Sequence, residues 1–177
     1  MRKTVLLTVM LVAGIWAFGA GEASGCGDKF VLIGRGVRVS LSKFPSSILI
    51  YMNPSSRIPA AEKEYHVEAT LKAAGHRPLI AESESDVKKA LSTGKYDLVL
   101  ADPNDVPSLR QEASTASSKP AVLPLLYKPT AAELAAAEKE ANCAVKASNK
   151  STDLLNVVDD TLKSRRKGNT SICATTP

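Results

Sequence analysis

The sequence predicts a doubly wound α/β fold, a five-stranded parallel sheet in the order 2-1-3-4-5 with helices on both faces. Two observations carry this. Apolar runs of strand length alternate five times with amphipathic segments of helical period, and the connections are short, so right-handed crossovers lay helices on both faces of one sheet. The strand runs are also continuously apolar, as strands covered on both faces are. No self-similarity of solenoid length accompanies them, which argues against a repeat architecture.

The elements follow in order. Residues 26–46 read as an extra N-terminal strand or an extended arm, because apolar residues alternate with basic residues and glycine from Lys29 to Val39. Gly34-Arg35-Gly36 lacks the third glycine and the following helix of a phosphate loop. Ser47 to Met52 is the first strand of the sheet, bounded by Pro45 and by Asn53-Pro54. The helix after it, Ala61 to Ala74, sets Val67, Leu71 and Ala74 on one face and stops at Gly75. Pro78 to Ala81 is the second strand, and Ser83 caps a helix that presents Val87, Ala90 and Leu91 and ends at Gly94. Tyr96 to Asp102 is the third strand, followed by a short helix from Val106 to Thr115. Ala121 to Tyr127 is the fourth, where Pro124 removes one ladder hydrogen bond and predicts a bulge or a locally unpaired side. Thr130 and Glu133 form a capping box for an alanine-rich helix running to Glu140. Cys143 to Ala147 is the fifth strand, and Ser151 opens a last helix with the apolar stripe Leu154, Leu155, Val158 and Leu162. The α/β domain so defined spans 47–163, and 164–177 reads as a basic flexible tail.

The ends of the chain speak to location. Met1-Arg2-Lys3, the apolar run Val5 to Phe18 and the small residues up to Gly25 follow the order of a secretory signal, so residues 1–25 are expected to be removed on export. The run is too short and wrongly flanked for a membrane span, and no other stretch is apolar for long enough. Ala23-Ser24-Gly25-Cys26 is a loose form of the box after which bacterial lipoproteins are cut and acylated on cysteine, without its usual leucine. The expectation is therefore a periplasmic or secreted chain, with a lipoprotein anchored through Cys26 as the alternative.

About 150 residues then remain, enough for one domain with one core. The formal charge of +5 becomes +4 over residues 26–177, and Lys163, Arg165, Arg166 and Lys167 account for all of it, so residues 26–162 are neutral. Four charges at the foot of the last helix are not the basic stripe that nucleic acid requires. They suit a solvated tail at a helix C-terminus. Cys26, Cys143 and Cys173 survive processing, and in an oxidising compartment a disulfide is expected before a metal site or a free nucleophile. Cys26 with Cys143 is the preferred pair, since both begin structured segments, although connectivity is not set by sequence.

Ser47 to Lys163 resembles the receiver domain of bacterial response regulators in length, in element order and in the phrase Lys95-Tyr96-Asp97-Leu98-Val99-Leu100-Ala101-Asp102. The resemblance implies a flavodoxin-like fold. It places Asp102 where receivers carry the phosphorylated aspartate, Pro107 near the proline that follows it, and Lys146 close to the lysine that contacts the phosphoryl group. The departures remove the chemistry. Tyr51-Met52-Asn53-Pro54 stands where receivers carry the acidic pair that holds Mg²⁺, and Leu125-Leu126-Tyr127-Lys128 stands where the switch Ser or Thr would be. A hard divalent cation needs oxygen ligands, carboxylates above all, and phosphoryl transfer needs that cation. Asp102 is therefore read as a strand-end aspartate that pins the next loop by hydrogen bonding, and the chain as a pseudo-receiver with no cofactor.

Other chemistry is sparse. His66 and His76 are the only histidines, read as surface residues, and no zinc or copper ligand spacing is present. Gly-x-Ser-x-Gly is absent, so no nucleophile elbow is predicted. Asn53, Asp102, Lys128 and Lys146 fall at predicted C-terminal strand ends, where open α/β sheets bind ligands, and are the candidates for a shallow polar crevice. A satisfied loop network has the same sequence signature. Two functions stand: a non-catalytic module that binds another protein of the cell envelope, and a small-ligand sensor or residual phosphoryl acceptor around Asp102.

Overall fold

The five apolar runs become the strands of one parallel sheet. The computed structural model describes residues 30–33, 37–141, 143–148 and 150–168. A hairpin comes first, β1 (Phe30–Ile33) with β2 (Val37–Ser40). The sheet comprises β3 (Ser47–Tyr51), β4 (Arg77–Ala81), β5 (Leu98–Ala101), β6 (Ala121–Tyr127) and β7 (Val145–Ala147). Its order is β4-β3-β5-β6-β7 with every pair parallel, the doubly wound 2-1-3-4-5 arrangement predicted. The connecting helices are α1 (Ile58–Tyr65), α2 (Val67–Ala73), α3 (Glu84–Thr93), α4 (Val106–Thr115), α5 (Ala131–Ala141) and α6 (Ser151–Arg166), and a 3₁₀ turn over Pro103–Asp105 precedes α4.

The strand pleat sends alternate residues to opposite faces, and that divides the core in two. Ile48, Ile50, Leu98, Leu100, Leu123 and Leu125 pack with α1, α2 and α6, whereas Leu49, Tyr51, Val99, Ala101 and Val122 pack with α3 and α4. Both faces are apolar because both are covered, which is why the runs read as continuous.

Four details depart from the sequence expectation, and a fifth takes one of its two expected forms. The helix expected over Ala61 to Ala74 starts earlier and breaks at His66, which takes the left-handed conformation (φ 49°, ψ 52°). A continuous helix turns about 100° per residue and would set Val67 about 180° from Ile58. The break lets Ile58 and Ala61 of α1 and Val67 and Leu71 of α2 reach one core. Glu62 completes the joint by accepting the Glu68 N–H at 2.9 Å. The N-terminal region holds two strands rather than one strand or an arm. They pair antiparallel as a separate sheet, Phe30 opposite Ser40, with β2 against α6.

Pro124 gives the locally unpaired side that is one of its two expected forms, and no bulge. The register from Leu98↔Ala121 to Ala101↔Pro124 is uninterrupted, and pairing with β7 begins only at Leu125. The last helix continues through Arg166, so residues 164–166, read as the start of the tail, are helical. Arg165 explains it, since its guanidinium donates to the carbonyls of Asp97 and Ser118. His76 is not a surface residue but is 3% exposed. Gly75 (φ 94°) donates its N–H to Lys72 and His76 its N–H to Leu71, a Schellman closure of α2, and the residue after the glycine in that motif packs back onto the helix.

Gly94 closes α3 through close approach rather than through a left-handed turn. A Cβ there would lie 2.3 Å from Tyr96 Cε2 and 2.8 Å from the Ala90 carbonyl oxygen. At the open edge of the sheet, Arg77 donates its N–H to Ser46 on the β3 side, so strand alternation turns the donor-less nitrogen of Pro78 outward. That blunts the edge against further strands.

Candidate functional site

The carboxyl ends of the strands gather the loops that sequence analysis nominated, and the structure sorts them into two groups. The first is a carboxylate and amide network. Asp102, 5% exposed, ends β5 and folds back on the loop it begins: its Oδ1 accepts the Asn104 backbone N–H at 3.1 Å and the Asn104 side-chain amide at 2.9 Å. Asn53, after β3, donates its amide to both carboxylate oxygens of Asp105 at 3.1 and 3.2 Å, and its own Oδ1 accepts the Ser55 N–H at 3.0 Å. Burial first, then the charges of Asp102 and Glu84, push the Asp105 carboxyl above its ordinary pKa, while the Asn53 bond opposes them. Burial first, then the charges of Asp105, Glu84 and Glu112, raise the Tyr51 hydroxyl above its ordinary pKa. A neutral amide donor thus engages the partly buried carboxylate.

The second group is aromatic and basic. Glu64 and Tyr65 end α1, Tyr127 and Lys128 end β6, and Lys146 and Ser148 flank the end of β7. Glu64 Oε2 accepts from Lys128 Nζ at 2.7 Å and from the Tyr127 hydroxyl. Hydrogen bonds from Lys128, Tyr127 and Tyr65 lower the Glu64 carboxyl to about 2, and the same contacts raise Lys128 above its ordinary value. Lys128 also stands 5.0 Å from the Tyr127 ring centroid, and Tyr65 and Tyr127 meet at 5.8 Å and 54°. Lys128 has a left-handed backbone (φ 46°) ahead of Pro129, which turns the chain toward α5. There Thr130 and Glu133 form the capping box expected of them, and Glu133 also binds Arg57 at 2.8 Å.

Between these residues lies an open recess of ≈ 440 Å³ walled by Glu64, Tyr65, Lys128, Pro129, Lys146, Ala147 and Ser148. Of the four nominated residues, then, Lys128 and Lys146 share a cavity, while Asn53 and Asp102 are bonded to Asp105 and Asn104, both in the turn after β5. Glu64, Tyr65 and Tyr127 were not nominated. Their signal was weak: two tyrosines at the ends of a helix and a strand 62 residues apart become neighbours only when α1 crosses to β6.

Among the described residues no cluster of three or more His, Cys, Asp or Glu is placed to hold a metal ion, and no helix is long and apolar enough to cross a membrane. Cys143 is buried at 4% exposure just ahead of β7, while Cys26 and Cys173 lie outside the described residues. No family model, no curated protein and no solved structure matches the chain.

Proposed function

We propose that the chain is an exported, non-catalytic pseudo-receiver that binds another protein of the cell envelope. One observation carries this reading above the others. Asp102 is buried with its Oδ1 bonded twice to Asn104, and Asn53 donates to Asp105, which supports a strand end held within the chain where a receiver resemblance would locate phosphoryl chemistry. Binding falls to the exposed neighbour of that network. Tyr65 and Tyr127 meet beside the Glu64–Lys128 pair, and tyrosine is among the side chains that most often anchor protein interfaces.

Acetyl phosphate with Mg²⁺ tests the reading. The purified protein should take up no phosphoryl group, and Asp102→Asn should leave capture of the envelope partner intact, whereas Tyr127→Ala should weaken that capture at least tenfold, the usual scale for an interface anchor. Labelling that needs Asp102 would replace this reading with the phosphoryl acceptor. A small-ligand function has one observation in its favour, the recess holding Lys128, Lys146 and Ser148. Loss of a bound anion in Lys146→Ala, with melting unchanged, would establish that function instead.

A further inference from the structure

We infer that His76 is an acid-sensitive latch: a proton taken up by its buried ring frees the N-terminal hairpin from α2 and α6. The ring is fully buried, and neither nitrogen has a hydrogen-bond partner. The chain that joins β2 to β3 is tied down on both sides of it. Ser42 donates its N–H to Ala74, two residues before His76, and Arg77, one residue after it, donates its N–H to Ser46, each at 2.9 Å. A third tie runs to α6, where Asp159 accepts the Ser42 hydroxyl and the Lys43 N–H, the latter at 3.4 Å. Phe44, whose N–H donates to Ser42 Oγ at 3.0 Å, packs on the core that α2 and α6 share.

One atom links the ring to this anchor. Asp159 Oδ1, the acceptor of the Ser42 hydroxyl, is also the oxygen 4.0 Å from His76 Nε2. A neutral imidazole tolerates such a site at the cost of unmade hydrogen bonds, whereas an imidazolium needs a counter-charge or water. The counter-charge within reach is already bonded to Ser42 and Lys43. Either the carboxylate turns to the charged ring and leaves Ser42, or the segment lifts and admits water. Both break the tie between the hairpin and α6. Asp159 is the charge that acts on the ring; on the elements around it, Lys43 of the segment, Lys72 of α2, Arg77 of β4 and Asp160, Lys163 and Arg166 of α6 are exposed.

The direction of the effect follows from burial, which outweighs Asp159 and holds the latched ring below its ordinary value of about 6.5. Once the segment lifts, the ring meets water and regains that value, so the released form binds the proton more readily. The latch is therefore whole above about 6.5 and weakens as the pH falls below it. Release is local because β1 and β2 form a sheet of their own, unpaired with the five-stranded sheet among the described residues. Units held by few contacts open at a lower free energy than the whole fold.

Hydrogen–deuterium exchange of the full-length chain at pH 7.5 and pH 5.5, corrected for the intrinsic pH dependence of exchange, tests this. Residues 37–46 should lose protection by up to about tenfold per pH unit below 6.5, while β5 and β6 keep theirs. His76→Leu should abolish the difference. His66→Asn, which changes the other histidine and suits the left-handed backbone there, should keep it. In the unaltered chain the His76 ring protons, followed by NMR, should titrate over the same pH range as the loss, a readout that does not need the leucine variant to fold. Equal protection of residues 37–46 at both pH values, a loss that persists in His76→Leu, or a ring that titrates above 6.5 overturns the proposal. So does simultaneous exposure of β5 and β6, which would make the event global unfolding.

Discussion

His76 is the residue whose surroundings most clearly set a measurable property. Both ring nitrogens are buried without a hydrogen-bond partner, and Nε2 lies 4.0 Å from Asp159 Oδ1. Burial lowers the imidazole pKa below its ordinary value of about 6.5, with Asp159 pulling the other way. The unfolded chain therefore binds the proton more readily than the folded one, so stability is full above 6.5 and declines as the pH falls below it toward the folded value. Denaturant midpoints measured between pH 7 and pH 5 should fall for the native protein, and His76→Leu should flatten that dependence by removing the titrating group from an apolar site. An unchanged slope in the variant would assign the acid sensitivity elsewhere. Sequence reasoning read this histidine as exposed because a lone His beyond a glycine looks like loop. The Schellman closure at Gly75 turns it inward, and a rule that the residue after a helix-ending glycine packs back would have caught it.

At the scale of elements, the joint between α1 and α2 shows tertiary packing overriding helix continuity. Sequence periodicity placed Val67, Leu71 and Ala74 on one face correctly, and all three are buried. It did not reveal that Ile58 and Ala61 belong to the same core, since on an unbroken helix they face away from Val67. The left-handed His66 resolves the conflict at a cost in backbone strain. His66→Gly should relieve that strain and raise stability by about 0.5–1 kcal/mol in denaturant unfolding, while β-branched His66→Val should lower it by about 1–2 kcal/mol. Equal stability of the two variants would mean that the joint carries no strain. Gly94 is the contrasting case, because its role is space: Gly94→Ala meets the Tyr96 ring and the Ala90 carbonyl and should cost about 1–3 kcal/mol, the usual range for overpacking.

At the scale of the whole molecule, parallel strands make two unlike ends. One holds first-turn carboxylates, the Asp102–Asn104 and Asn53–Asp105 bonds and the recess beside Tyr65; the other holds the basic last turn of α6 and both points at which the described chain begins and ends. Intact mass of the protein recovered from its host bears on how this molecule is presented. A chain starting between residues 20 and 26 with a two-hydrogen deficit removed by reduction is the expected outcome, pairing the buried Cys143 with another cysteine. A lipid adduct on Cys26 would instead make the protein a lipoprotein, and an unprocessed start at Met1 would contradict export.

Sequence alone determined the five strands and their order, because continuous apolar runs between helical periods admit little other than a doubly wound parallel sheet. It also placed Asp102 and Lys146 at strand ends, the Thr130–Glu133 box and the caps at Ser83 and Gly75. All of these are local, decided by neighbours within a few residues. Which strand-end residues meet was decided only by the tertiary structure. Asn53 finds Asp105 and Glu64 finds Lys128 across 52 and 64 positions of sequence, and Arg165, read as tail, reaches carbonyls 68 and 47 residues away. Such pairings depend on the height and rotation at which each helix packs on the sheet, and no local pattern of residue types encodes them.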